Sequence, residues 1–309
     1  MSDETATKTD HLMRNPGALL EMSAPEARAA RAHAADAVEL PAEPIASVED
    51  IVIPGPVPVP ARVYTPAGAS LGDPRPILLW FHGGGMVMGG NYVQSDRPIR
   101  RIANRVDCVT VAVDFRLAPE DPYPAGIEDC RTALRWAAEH GGEIGGDPKR
   151  IAVEGDSGGG LPAADCAIIA RNEGIKLAHA LLIYPNLDCT LTDPAWDTHA
   201  HSSLNRTSMR WFMDKYLPSG IDPYDPAVSP GRTADLRGIA ATTIIGAGRD
   251  PLIGEGRSFA RRLAAAGSDV EMREWDEMPH GFYVCSALYP EATEAMEFAV
   301  ARLRRAFGG

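Results

Sequence analysis

Apolar positions along this chain follow two alternating rhythms. Compact apolar blocks at 77–81, 109–113, 151–153, 180–184, 242–246 and 269–274 have the length and composition of strands buried in a sheet. Between and after them, at 126–140, 158–172, 253–266 and 290–306, apolar residues recur every three or four places among charged ones, which predicts amphipathic helices. Two shorter strands, 48–53 and 61–64, are joined across Pro54-Gly55-Pro56, where proline and glycine impose a turn, and so predict a hairpin. This order predicts an α/β fold: a mostly parallel central sheet flanked by helices, with ligands held at the carboxyl ends of the strands.

Two stretches depart from the rhythm. Residues 1–45 are rich in alanine and charge, with a proline start signal at Asn15-Pro16 and an amphipathic stretch over 24–40, and predict one or two helices ahead of the sheet. Residues 187–237 mix Trp196, Met209, Trp211, Phe212, Met213 and Tyr216 with many polar positions. They read as an insertion that, together with 1–45, forms a helical cap over a core made of 46–186 and 238–309 within one folding unit. Most of those large side chains are expected to fill the cap itself. Trp196, Met209, Trp211 and Phe212 are the candidates for reaching a pocket beneath it.

With 309 residues, 45% of them hydrophobic, the chain can bury a sizeable core. Its formal charge of -12 argues against nucleic-acid binding, because a phosphate backbone is repelled where no basic face is concentrated. No run approaches the length of a membrane span, and Met1-Ser2-Asp3-Glu4 lacks the basic and apolar character of a secretory signal, so a cytoplasmic location is expected. The five cysteines (108, 130, 166, 189, 285) are scattered, odd in number and without Cys-x-x-Cys spacing, which suits reduced core thiols. His199 and His201, with Asp193 and Asp197 nearby, lack a third ligand at a recognised zinc spacing, and no metal is predicted.

The chemistry is concentrated at strand ends. After 151–153 the chain reads Glu154-Gly155-Asp156-Ser157-Gly158-Gly159-Gly160, with Ser157 flanked two places away on each side by glycine. A strand that turns at once into a helix strains its turning residue, and small neighbours let strand and helix approach. By itself this short pattern is weak in a glycine-rich chain. Its support lies upstream, where 77–81 leads into His82-Gly83-Gly84-Gly85, the kind of loop whose amides receive an oxyanion. A serine hydroxyl needs an imidazole to take its proton and a carboxylate to fix the imidazole. Asp250, just beyond the strand 242–246, and His280, in the loop after 269–274, stand in the order this architecture uses.

Together these segments resemble the hormonesensitive-lipase-like family of α/β-hydrolases, the bacterial family IV esterases with HGGG, GDSAGG, DPL and HGF motifs. The likeness runs across most of 48–306 and includes Phe115-Arg116-Leu117-Ala118-Pro119-Glu120, similar to the family's YRLAPE, and Tyr184-Pro185. It implies Ser157 as nucleophile, His280 as base and then acid, and Asp250 as its orienting partner. Gly84, Gly85 and Gly158 would supply the oxyanion amides, with Gly158 at a helix start whose dipole adds positive charge. The resemblance further implies a small ester of short or medium acyl chain as substrate and no cofactor. The His82 ring is expected to brace the oxyanion loop, and Arg116 and Glu120 to form an ion pair supporting the following loop. Departures from the family pattern are Gly158 for alanine, Phe115 for tyrosine, Asp121 for histidine and Gly254 for an acid. Pro162, which cannot donate an amide and crowds the Gly158 carbonyl, predicts a loosened helix start.

Other readings stand beside this one. Ser157 could mark a mere glycine-rich turn, Asp250 a helix cap and His280 a satisfied loop histidine. The same constellation serves lactone and amide hydrolysis, or the dehydration performed by plant relatives. A non-catalytic small-molecule receptor, as in the gibberellin receptors that resemble these esterases, is disfavoured by the histidine at 280. The sequence leaves the oligomeric state open, with a homodimer as one expectation.

Overall fold

The computed structural model describes residues 16–68, 74–90, 92, 95–202 and 204–308. Strands β1 (Ser47–Ile53), β2 (Val59–Thr65), β3 (Arg75–Phe81), β4 (Val109–Val113), β5 (Gly146–Asp156), β6 (Leu177–Ile183), β7 (Thr242–Arg249) and β8 (Val270–Pro279) make one sheet in the order β1-β2-β4-β3-β5-β6-β7-β8. β2 runs antiparallel to both neighbours, and every other pairing is parallel. Because side chains alternate across a strand, β3 sends Ile77, Leu79 and Phe81 into one core and Leu78 and Trp80 into the other. Helices α3 (Ala125–His140), α4 (Gly160–Glu173) and α7 (Ile253–Ala265) cover the first face; α2 (Asp96–Val106) and α8 (Pro290–Phe307) cover the second. Fully burying one such strand side chain contributes about 2 kcal/mol, so covering both faces is what holds the sheet.

Three further helices lie outside this sandwich: α1 (Ala24–Val38), the single turn α5 (Ala195–Thr198) and α6 (Arg206–Tyr216). α1 starts where the Glu26 carboxylate accepts the backbone amide and hydroxyl of Ser23. The start signal at Asn15 and the rest of 1–15 lie outside the described residues. α6 starts where the Asn205 side chain accepts the amides of Thr207 and Ser208.

The expected elements recur, and the differences in extent include β6 starting at Leu177 and β7 running on to Arg249. β5 begins five residues earlier than its apolar block, because Gly146 pairs with Arg75 although the intervening residues are polar. β8 runs on to Pro279, carried by pairing with β7 rather than by apolar content. α2 was hidden by its charge and α6 had no bounds within the expected helical cap, yet each buries a helical stripe: Ile99, Ile102, Ala103 and Val106 in one, Met209, Phe212, Met213 and Tyr216 in the other. Pro162 falls in the first turn of α4, where an amide has no partner within the helix anyway, and α4 continues unbroken to Glu173.

Candidate active site

Four of the parallel strands end at the same edge, and each delivers one part of the site. β3 leads into His82 and its glycines, β5 into Ser157, β7 into Asp250 and β8 into His280. Ser157 takes a left-handed backbone with φ of 54°, a cost of about 1 kcal/mol that lifts its hydroxyl clear of the sheet. Glycine is required beside it: a side chain at Gly155 would strike the Gly159 carbonyl, and one at Gly159 would strike the Phe81 carbonyl.

Ser157 Oγ lies 2.8 Å from His280 Nε2, and His280 Nδ1 lies 2.6 Å from Asp250 Oδ2. A carboxylate only accepts, so Nδ1 carries the imidazole proton and the bare Nε2 faces the serine hydroxyl. Asp250 is wholly removed from water, and its second oxygen accepts the Leu252 amide at 2.9 Å. The cap-like role therefore coexists with the contact to histidine. The Tyr184 ring packs against His280 with centroids 5.0 Å apart, leaving the imidazole little room to turn.

Gly84, Gly85 and Gly158 line one cavity with Ser157 and His280. Gly84 and Gly85 have φ of 125° and 61°, which turn the loop back over the serine. Behind them the His82 ring stacks on Phe115 at 4.3 Å, and its Nδ1 lies 2.9 Å from the Gly83 carbonyl. Burial lowers the His82 pKa to about 4, so the ring is neutral and its Nδ1–H donates to that carbonyl. The Asp156 carboxylate accepts the Gly83 amide at 2.7 Å, tying the loop to β5.

The cavity, of about 370 Å³, is large enough for a small organic molecule. Of the four candidates for its wall, Met209 and Phe212 line it, and Phe212 lies against Gly85. Trp196 and Trp211 do not: Trp196 is buried in the packing behind, and Trp211 sits edge-on to Phe212 under the Lys215 ammonium. The helical period of α6 explains the split, since 209 and 212 share a face that 211 does not.

The proposed pair of Arg116 with Glu120 is replaced by two others. Arg116 binds Asp129 of α3 at 2.8 Å, and that carboxylate also accepts the Arg116 backbone amide. Glu120 binds Arg28 of α1 at 2.6 Å. Arg28 lies 92 residues from Glu120 and Asp129 lies 13 from Arg116 on the next helix, so neither partner is the neighbour within the loop that adjacency suggested. Asp193 and Asp197 also have other work: Asp193 accepts the Ala195 amide and Asp197 pairs with Arg206. Among the described residues no cluster of three metal-ligating side chains occurs. Residues missed by sequence reasoning include Arg31 and Ala34 of α1, Asn186, Cys285 and Leu288. For α1 the only signal was amphipathicity, which does not say what a helix leans on.

The comparisons bear on what this arrangement is. A profile of the alpha/beta hydrolase fold matches residues 78–284. The chain belongs to the α/β-hydrolase family. Within it, Esterase LipI of Mycobacterium tuberculosis is 37% identical over 280 residues, spanning 89% of this chain and 87% of the relative. Carboxylesterase NlhH of the same organism is 40% identical over 256 residues, 80% and 78% of the two chains. Among solved structures, an ester-hydrolase from the metagenome of Lake Arreo superposes with a TM-score of 0.91 at 30% identity over 100% of each chain. A thermostable carboxylesterase from a metagenomic library gives 0.87 at 35% identity, over 94% of this chain and 99% of the other. These place the hydrolase in the hormone-sensitive-lipase-like branch to which the HGGG segment pointed.

One departure from that branch has a geometric correlate in this hydrolase. A methyl group at Gly158 would collide with the Gly85 backbone, so glycine here lets the loop that follows His82 approach closer than alanine allows. Replacing Gly158→Ala is expected to push the loop back and lower kcat about 10- to 100-fold, with KM little changed. Steady-state kinetics on an aryl butyrate check this, and an undiminished kcat would show that the tight approach is not used.

Proposed function

We propose that this protein is a serine carboxylesterase acting on short- to medium-chain carboxylic esters, and the observation that carries it is the unbroken line from Ser157 Oγ through His280 to Asp250. Ser157 attacks the ester carbonyl as Nε2 of His280 takes its proton. The Gly84, Gly85 and Gly158 amides receive the negative charge on the tetrahedral oxygen, fixed in place before the charge develops. His280 then gives its proton to the departing alcohol. Water, deprotonated in turn by His280, releases the acid from Ser157. Every proton is handled by this chain's own residues.

The named esterases among the relatives support ester over amide bonds. The cavity supports a bounded acyl chain, because its volume is about 370 Å³ and Leu19, Leu204, Met209 and Phe212 line it together with Ser157. On this reading α1 with the preceding turn (Pro16–Glu21) and the segment around α6 act as the cap. The scattered free thiols support a cytoplasmic site of action, and no helix among the described residues is long and apolar enough to cross a membrane. A homodimer has support in β8, which stands at one edge of the sheet and, among the described residues, pairs as a strand with β7 alone.

A series of para-nitrophenyl esters from acetate to palmitate, run beside matched anilides and lactones, tests the reading. The expected profile peaks at short or medium chains, falls steeply for long ones and shows weak or no anilide cleavage. A lactone or anilide preferred over every ester would overturn it.

A further inference from the structure

A glycine with φ of 61° has a wide choice of backbone conformations, so the Gly85 amide stays aimed at a developing oxyanion only if its surroundings hold it. The hydrogen bonds of the loop fix the residues on either side. Asp156 accepts the Gly83 amide at 2.7 Å, and the Gly84 carbonyl accepts the Val87 and Met88 amides at 3.1 and 2.8 Å. Farther along, Arg28 of α1 donates to the Val87 and Ala118 carbonyls, each at 2.8 Å, and the Ala118 amide donates to the Met86 carbonyl at 2.9 Å. α1 is itself tied down at its other end, where Glu39 forms a buried ion pair with Arg101 and accepts the Ser286 hydroxyl at 2.6 Å, while the Ala287 amide donates to the Val38 carbonyl at 2.9 Å.

Gly85 itself is met by an aromatic ring. A Cβ placed on it would fall 2.5 Å from Phe212 Cδ1 and 2.7 Å from Phe212 Cγ, so the ring rests directly on the bare Cα. At its nitrogen Gly85 meets Gly158, where an added Cβ would fall 2.4 Å away. Phe212 is backed in turn. Trp211 stands edge-on to it with ring centroids 5.1 Å apart, and the Lys215 ammonium lies 3.7 Å from the centroid of the Trp211 ring. α6, which carries all three, is anchored at both ends: Arg206 binds Asp197 at 2.8 Å, and the Tyr216 carbonyl accepts the Tyr123 amide at 2.9 Å. Tyr123 belongs to the same segment after β4 that supplies Ala118, so ring and glycine loop share one frame.

We propose that Phe212, backed by Trp211, is a positioning residue for the oxyanion amide of Gly85, so that α6 serves the chemical step besides walling the cavity. This rests on the serine-esterase reading, and the experiment separates the two. Inhibition by phenethyl trifluoromethyl ketone is compared with inhibition by phenethyl methyl ketone. With the first, Ser157 Oγ bonds to the carbonyl carbon, the C=O pair moves onto oxygen and His280 takes the hydroxyl proton, leaving an anionic oxygen among the glycine amides. The second keeps its carbonyl and binds as a neutral molecule of similar shape. Much tighter binding of the trifluoromethyl ketone by the unaltered protein reports on the serine reading alone.

For Phe212→Ala, the inhibition constant of the trifluoromethyl ketone is expected to rise about 10- to 100-fold more than that of the methyl ketone, with kcat for para-nitrophenyl acetate falling by a like factor. Phe212→Leu keeps most of the bulk and should restore most of the difference. Trp211 lies outside the cavity wall, and Trp211→Leu should give the same selective loss on a smaller scale, about threefold to tenfold, which carries the test by itself if Phe212→Ala does not fold. A ring that only walled the cavity would shift both ketones alike and leave Trp211→Leu without effect. Equal shifts of the two ketones in these variants would overturn the proposal.

Discussion

Replacing Ser157→Ala is expected to lower kcat for para-nitrophenyl butyrate roughly a million-fold while leaving the fold intact. On the proposed mechanism the loss is large because the hydroxyl 2.8 Å from His280 is the atom to be acylated, and neither imidazole nor carboxylate has another side-chain oxygen to activate in its place. A residual acceleration of about a thousandfold over water should persist, supplied by the glycine amides and by binding. The fold should hold because alanine in the left-handed backbone at 157 carries a strain similar to that of serine. Circular dichroism and thermal unfolding close to those of the unaltered protein, with activity gone, are the expected pair of results. Full activity in the variant would refute the assignment of the nucleophile.

The second large effect is at the far end of the same line. Asp250→Asn keeps the shape of the side chain and can still accept the Leu252 amide through its carbonyl oxygen. The atom turned to His280 Nδ1 then becomes an amide nitrogen, which donates. The imidazole must answer by moving its proton from Nδ1 to Nε2, and an Nε2 that already holds a proton cannot take one from Ser157. A loss of about ten-thousandfold in kcat is expected, with KM nearly unaltered because the cavity wall is untouched. Pre-steady-state kinetics should show the acylation burst lost as well. A loss of tenfold or less would mean that Asp250 acts mainly as the cap of its turn.

The strands and most helices of the sandwich were legible because burial on both faces of a parallel sheet leaves unmistakable apolar blocks, as at 77–81 and 151–153. The candidate site residues were legible for a related reason. Each follows directly on a strand, so placing the strand places Ser157, Asp250 and His280 at one edge. Contacts made by long side chains across the molecule were not legible. Glu120 reaches Arg28, 92 residues away, and no local pattern announces such a pair. α2 stayed hidden, and α6 without bounds inside its helical cap, because a helix resting on the outside of a core needs only one apolar stripe, and charge on its other sides masks the period. Gly254 shows the same limit from another direction. The family's acid is missing there, and the structure fills the space with the carboxylate of Asp193, brought in from the inserted segment.

The tethers at Arg28 and Glu39 make α1 more than an appendage. Any shortened version that began beyond Leu40 would open a hole in the substrate chamber and, at the same stroke, release the polypeptide around Ser286 and Ala287 that steadies the catalytic imidazole's neighbourhood. Trimming for expression or crystal growth therefore has to stop short of Ser23, because the helix that starts there forms part of the cavity wall and ties down the segment after His280.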